Sequence, residues 1–138
     1  MYTFTPEQQA VIDQRGTPDG FLILFYDVLL DAGQEIPVRQ ESWYYYNTGY
    51  EVTFKNGQIF SQADTEPYPA AATSYSPAAF TADMSLAQVL AATGQDSFLL
   101  DPVEAELVPD SEMIYLEGLA CGLVSGQLRT IESITIEE

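Results

Sequence analysis

Helical spacing of apolar positions is confined to two short stretches of this chain, and the rest reads as strand-length apolar or mixed runs divided by turn signals and one Pro-rich segment. The first is "FTPEQQAVIDQRG". Thr5 is placed to cap it, Pro6 fits the first helical position, Glu7 suits the positive end of the helix dipole and Gly16 closes it. Phe4, Ala10, Val11 and Gln14 form its expected inner stripe. The second is "SLAQVLAATG", with Ser85 and Gln88 as a capping-box pair and Gly94 as C-cap.

After a turn at "TPDG", residues 21–30 form a near-continuous apolar run, "FLILFYDVLL", which predicts a strand covered on both faces. "DAGQ" turns the chain into "IPVRQESWYYY", a second strand with Pro37 near its beginning or on an edge. Two tight turns follow, "NTG" at 47–49 and "NG" at 56–57. Together they predict a register that sets Tyr46 opposite Tyr50, Tyr44 opposite Val52 and Ser42 opposite Phe54, with Phe54 meeting Ile59 and Thr53 meeting Phe60. Opposed residues share a face. Tyr44, Tyr46, Tyr50, Val52, Phe54 and Ile59 are therefore expected in the core, with Glu41, Trp43, Tyr45, Glu51, Thr53, Lys55 and Phe60 on the other side.

Residues 62–84 carry Pro67, Pro69 and Pro77 among Ala, Ser and Thr, a composition that forbids a long regular element. A segment of that length is expected either as a loop wrapped over the sheet or as an arm. Short strands are expected at 97–100 and 104–108, and a last hairpin turns at Ser125-Gly126, with Gly118 and Gly122 permitting bulges or close backbone approach. The sum predicts a single α+β domain over residues 1–138. Its core is a mainly antiparallel, curved meander of five to seven strands with two short helices packed on one face. A strongly curved, barrel-like sheet is the variant of that fold.

Composition changes the picture mainly through charge. Among 138 residues there are 21 acids and four bases, Arg15, Arg39, Lys55 and Arg129, for a net charge of −17. Charged residues total only 18%, so the chain is poor in bases more than it is loaded with acids. Such a field repels nucleic-acid backbones and anionic membranes and attracts basic protein surfaces. No apolar run reaches the length of a membrane span, and the N-terminal residues lack a signal-peptide pattern, which points to the cytoplasm.

Candidate chemistry is bounded by what is missing. There is no histidine and one cysteine, Cys121, which sits in the apolar run "GLACGLVSG" and reads as a buried, inert thiol. Histidine-based nucleophile pairs, most transition-metal sites and iron–sulfur clusters are excluded, and no phosphate-binding glycine loop is present. No cofactor, metal site or catalytic residue is assigned. Asp27, which interrupts the apolar run, is the best candidate for carboxylate chemistry.

The leading expectation is a non-enzymatic acidic module, an inhibitor, immunity or assembly factor that captures a basic protein. Its first-choice contacts are Glu41, Trp43, Tyr45, Glu51 and Phe60, with the acidic stretch of Asp101, Glu104, Glu106, Asp110, Glu112 and Glu117 second. Two alternatives stand beside it. One is a ligand-binding protein or carboxylate-dependent enzyme with a pocket in the curved sheet, lined by Asp27 and tyrosines. The other is a structural subunit of a larger assembly, homo-oligomeric or mixed.

Overall fold

Strand alternation decides the architecture. The computed structural model describes residues 2–101 and 111–134. Helix α1 (Pro6–Arg15) precedes four strands, β1 (Gly20–Leu29), β2 (Glu35–Tyr45), β3 (Tyr50–Lys55) and β4 (Gln58–Asp64). A 3-10 turn at Pro77–Ala79 and helix α2 (Leu86–Thr93) follow. The chain then adds β5 (Leu99–Asp101), β6 (Ser111–Leu116), β7 (Leu119–Val124) and β8 (Gln127–Ser133). The fold is α+β: an antiparallel sheet of seven strands with the three-residue β5 at its outer edge, in the order β4-β3-β2-β1-β8-β7-β6-β5. It is two meanders joined where β1 pairs β8, rather than one. The sheet is open, neither closed nor strongly curled, so the barrel-like variant does not form.

One face holds the core. Phe21, Ile23 and Phe25 of β1 share it with Trp43 and Tyr45 of β2, and with Tyr50, Val52 and Phe54 of β3. Across the β1–β8 junction, Ile131 joins Cys121, Ile114 and Leu119. Both helices lie on this face. In α1, Thr5 accepts a hydrogen bond from the Gln8 backbone N–H at 3.3 Å, and the Gln8 side-chain carbonyl accepts from Thr5 N–H at 3.2 Å. The buried residues of α1 are Gln8 and Val11; Ala10 and Gln14, expected inside, are exposed. Helix α2 has the expected Ser85/Gln88 capping box and Gly94 in the left-handed conformation, and it contributes Val89 to the core.

Residues 65–84 form a strap. Tyr68 N–H donates to Tyr46 O at 3.0 Å and Thr73 N–H to Asp19 O at 2.8 Å, which carries the chain round the end of the sheet to the covered face. There Pro77, Ala78 and Phe80 are buried, with Phe80 packed 6.0 Å from Phe21.

Several expectations need correcting. The β2–β3 turn spans four residues, 46–49, so the last pair is Tyr45 with Tyr50, then Tyr44 with Glu51, Trp43 with Val52, Ser42 with Thr53 and Glu41 with Phe54. A one-residue slip moves every side chain of a strand to the opposite face. Trp43 and Tyr45 are therefore core residues, while Tyr44 and Tyr46 lie outside it. The Phe54–Ile59 pair forms, but a bulge after it makes Ser61 the partner of Thr53 and leaves Phe60 unpaired and 63% exposed. The terminal hairpin contains a further turn at Glu117-Gly118, so 111–124 is two strands. The expected strand at 104–108 lies outside the described residues. Finally, β1 is covered on one face only, and this creates the surface described next.

Candidate protein-binding surface

Both helices and the later part of the strap, Pro77 to Phe80, cover the same side, so the alternate residues of each strand form an open face, with Tyr68 of the strap at its end. Along β1 these are Gly20, Leu22, Leu24, Tyr26 and Val28, opposed on β2 by Tyr44, Ser42, Gln40, Val38 and Ile36. The β1–β8 ladder covers Leu22 to Leu24 and the β2–β3 ladder begins at Gln40, so the hairpin beyond is a two-stranded arm among the described residues. Every residue of the arm from Tyr26 to Pro37 is exposed. Asn56 braces its base: its side chain accepts from Arg39 N–H at 2.8 Å and donates to Pro37 O at 3.3 Å. The arm's two sides differ. Tyr26, Val28, Ile36 and Val38 lie on the open face, while Asp27 and Glu35 lie on the opposite side. Asp27 is thus exposed on a projecting strand, and no pocket of a curved sheet encloses it.

The other end of this apolar lane is lined by tyrosines. Tyr44 and Tyr46 stack at 5.7 Å with planes 8° apart, and Tyr68 lies 5.2 Å beyond Tyr46. Gly20 leaves room for that arrangement, since a Cβ there would sit 2.8 Å from the Tyr46 ring. An open groove of about 450 Å³ is lined by Tyr46, Tyr68, Met113, Tyr115, Ala120 and Glu132, among others. Glu51 pairs with Tyr44 across the strands. Burial pushes the Tyr44 hydroxyl above its usual range; a hydrogen bond with Ser42 opposes that shift, and the Glu51 and Glu132 carboxylates add to it.

The expected contact residues are distributed differently. Glu41, Trp43 and Tyr45 are buried at 0%, 0% and 3% exposure, and so are not available to a partner. Glu41 instead closes a buried network. Gln8 donates to it at 2.7 Å, Trp43 Nε1 at 3.2 Å and Arg39 Nη2 at 3.2 Å. Arg39 Nε lies 3.0 Å from its Oε2, an ionic contact off the axis of the N–H. Glu51 is half-buried on the open face, and Phe60 is exposed under the Lys55 ammonium, 3.8 Å from its ring centre. Glu112 and Glu117 are exposed, Asp101 ends β5, and Glu104, Glu106 and Asp110 lie outside the described residues. The groove tyrosines and the arm were missed, the first through the register slip and the second because an apolar run implied a second covering layer.

All four bases are engaged within the molecule. Arg15 lies 3.5 Å over the Tyr50 ring, Arg39 is buried, Lys55 covers Phe60, and Arg129 pairs with Asp83 at 3.7 Å. With 21 acids to four bases the outward field is negative. Among the described residues no three metal-ligating side chains gather in one place, and no helix is long and apolar enough to cross a membrane.

Cys121 is buried in the core, and burial raises its thiol to about 11. The unfolded chain loses this proton first as pH rises above 9.0, so the thiol's contribution to stability is complete below that value and is lost towards about 11. Denaturant midpoints should therefore fall between about pH 9 and about pH 10. Cys121→Ala should make that fall shallower by about 1 kcal/mol.

Fold and surface together define a small acidic α+β protein with one covered and one open sheet face. The chain matches no family model, no curated protein and no solved structure.

Proposed function

We propose that the protein is a non-enzymatic binding module, an inhibitor, immunity or assembly factor, which captures a protein with a basic surface on its open sheet face. The observation that supports this reading is the uncovered apolar lane of Leu22, Leu24, Tyr26 and Val28, flanked by Val38 and Ile36. It lies on a chain of net charge −17 with only four bases, each in contact with another side chain. At ordinary strand geometry the lane from Gly20 to Val28 runs about 26 Å, and the sheet spans about 30 Å across. Exposed apolar side chains grouped on one face of a small domain mark contact surfaces. The acidic field would steer a basic partner to the face, and the association rate would fall with salt.

The test is affinity capture from lysate of the source cells at low and high salt, repeated with Val28→Asp/Ile36→Asp. Both positions are exposed, so the variant should keep its circular dichroism and melting temperature. The expected result is a basic protein bound by the parent and weakened about 100-fold or more by the double change. A partner that binds the variant equally well, or without salt dependence, refutes the reading. Light scattering that shows a dimer abolished by the same variant would assign the lane to a second copy of the chain instead.

A further inference from the structure

We infer that the groove at the Gly20 end of the open face receives an arginine side chain presented by the partner. The inference rests on the proposed capture of a basic protein only for the origin of that side chain. The groove itself is a separate construction. Ala120, the smallest side chain in its lining, leaves the space open, and Gly20 beside it lets the Tyr46 ring lie close to the sheet. The groove's lining includes Tyr46 and Tyr68, with Tyr44 stacked behind Tyr46, and also Tyr115 and Met113. Glu132, which pairs with Ala120 across β7 and β8, supplies a carboxylate in the lining, and among the described residues no basic side chain lines the groove.

These features select among ligands. An anion is repelled by Glu132, and a purely apolar group would leave that carboxylate desolvated and unpaired. A cation satisfies both parts, through the aromatic faces and the carboxylate. A guanidinium suits the site better than an ammonium, because its plane stacks on tyrosine while its edge donates two hydrogen bonds to a carboxylate. The chain already builds this arrangement once in its interior, where the Arg39 guanidinium lies 3.7 Å over the Tyr2 ring and 3.0 Å from the Glu41 carboxylate.

The test uses Nα-acetyl-arginine amide, titrated into the ¹⁵N-labelled protein and followed by amide chemical shifts. Nα-acetyl-citrulline amide, the neutral isostere, is the control. The expected result is saturable shifts confined to Tyr46, Tyr68, Tyr115, Ala120 and Glu132, with citrulline and Glu132→Gln each weakening binding about tenfold or more. Equal binding of the two compounds, shifts spread over the acidic surface without saturation, or indifference to Glu132→Gln overturns the inference. Val28→Asp/Ile36→Asp should leave the titration unchanged, because the arm lies at the far end of the lane. A parent protein that captures a basic partner but does not bind the arginine amide therefore counts against the groove alone. A parent that binds the arginine amide but captures no basic protein counts against the proposed capture alone.

Discussion

Glu41→Ala should lower folding stability by about 3–5 kcal/mol, because it strips a buried guanidinium of its counter-charge. Arg39 would keep the Pro77 carbonyl at 2.6 Å and the Phe80 carbonyl as acceptors, but nothing would neutralise it. The Gln8 amide and the Trp43 indole N–H would lose their acceptor in the same step. Removing both charges should cost less than the sum of the single changes. A cycle of Arg39→Ala, Glu41→Ala and the pair should show a coupling of about 2 kcal/mol, read from urea midpoints. A loss below about 1 kcal/mol for Glu41→Ala would mean that water reaches the carboxylate and the network is not closed. The same network holds the register. Shifting β2 by one residue would expel Arg39 and Glu41 and bring Gln40, Ser42 and Tyr44 into a core that offers them no matched partners.

Gly57→Ala should cost about 3 kcal/mol, and Gly126→Ala only about 1 kcal/mol. The two glycines occupy like turns, Asn56-Gly57 with φ of 50° and 80° and Ser125-Gly126 with φ of 51° and 78°. The backbone penalty of a left-handed alanine is therefore shared. Their surroundings differ. Space around Gly126 is open, whereas a Cβ on Gly57 would run into the Thr5 side chain. Thr5 caps α1 and donates its hydroxyl to Gly57 O at 2.5 Å. Displacing it loosens the cap, and with it Gln8, whose amide is a ligand of Glu41. Equal losses at the two glycines, measured by thermal or urea denaturation, would show that the helix cap does not bear on the hairpin.

Much of the fold was legible because it depends on local chemistry. The caps at Thr5, Ser85 and Gly94 and the turns at Asn56-Gly57 and Ser125-Gly126 each follow from residues within a few positions of one another. The β2–β3 register was not read correctly, because one turn residue decides it and "YNTG" admits loops of three or four. A signal for the true register was present. Gln40 and Ser42 oppose Lys55 and Thr53, polar against polar, with Ser42 and Thr53 sharing a hydrogen bond at 3.0 Å. That register buries Glu41, and the partners that make this tolerable, Arg39 and Trp43 of β2 and Gln8 of α1, are assembled only in the folded chain.

The candidate surface shows the same division. Composition alone established an acidic protein, poor in bases and without histidine chemistry, and alternation established antiparallel strands with two short helices. Which side of those strands faces solvent was decided only in three dimensions. The apolar run of β1 reads equally as a strand sandwiched between layers and as one covered once. The choice depends on where α1, α2 and the Pro77–Phe80 part of the strap come to rest, and all three pack on the Phe21–Ile23–Phe25 side. Local periodicity sorts residues into two faces, but only contacts between segments distant in sequence choose which face becomes the core.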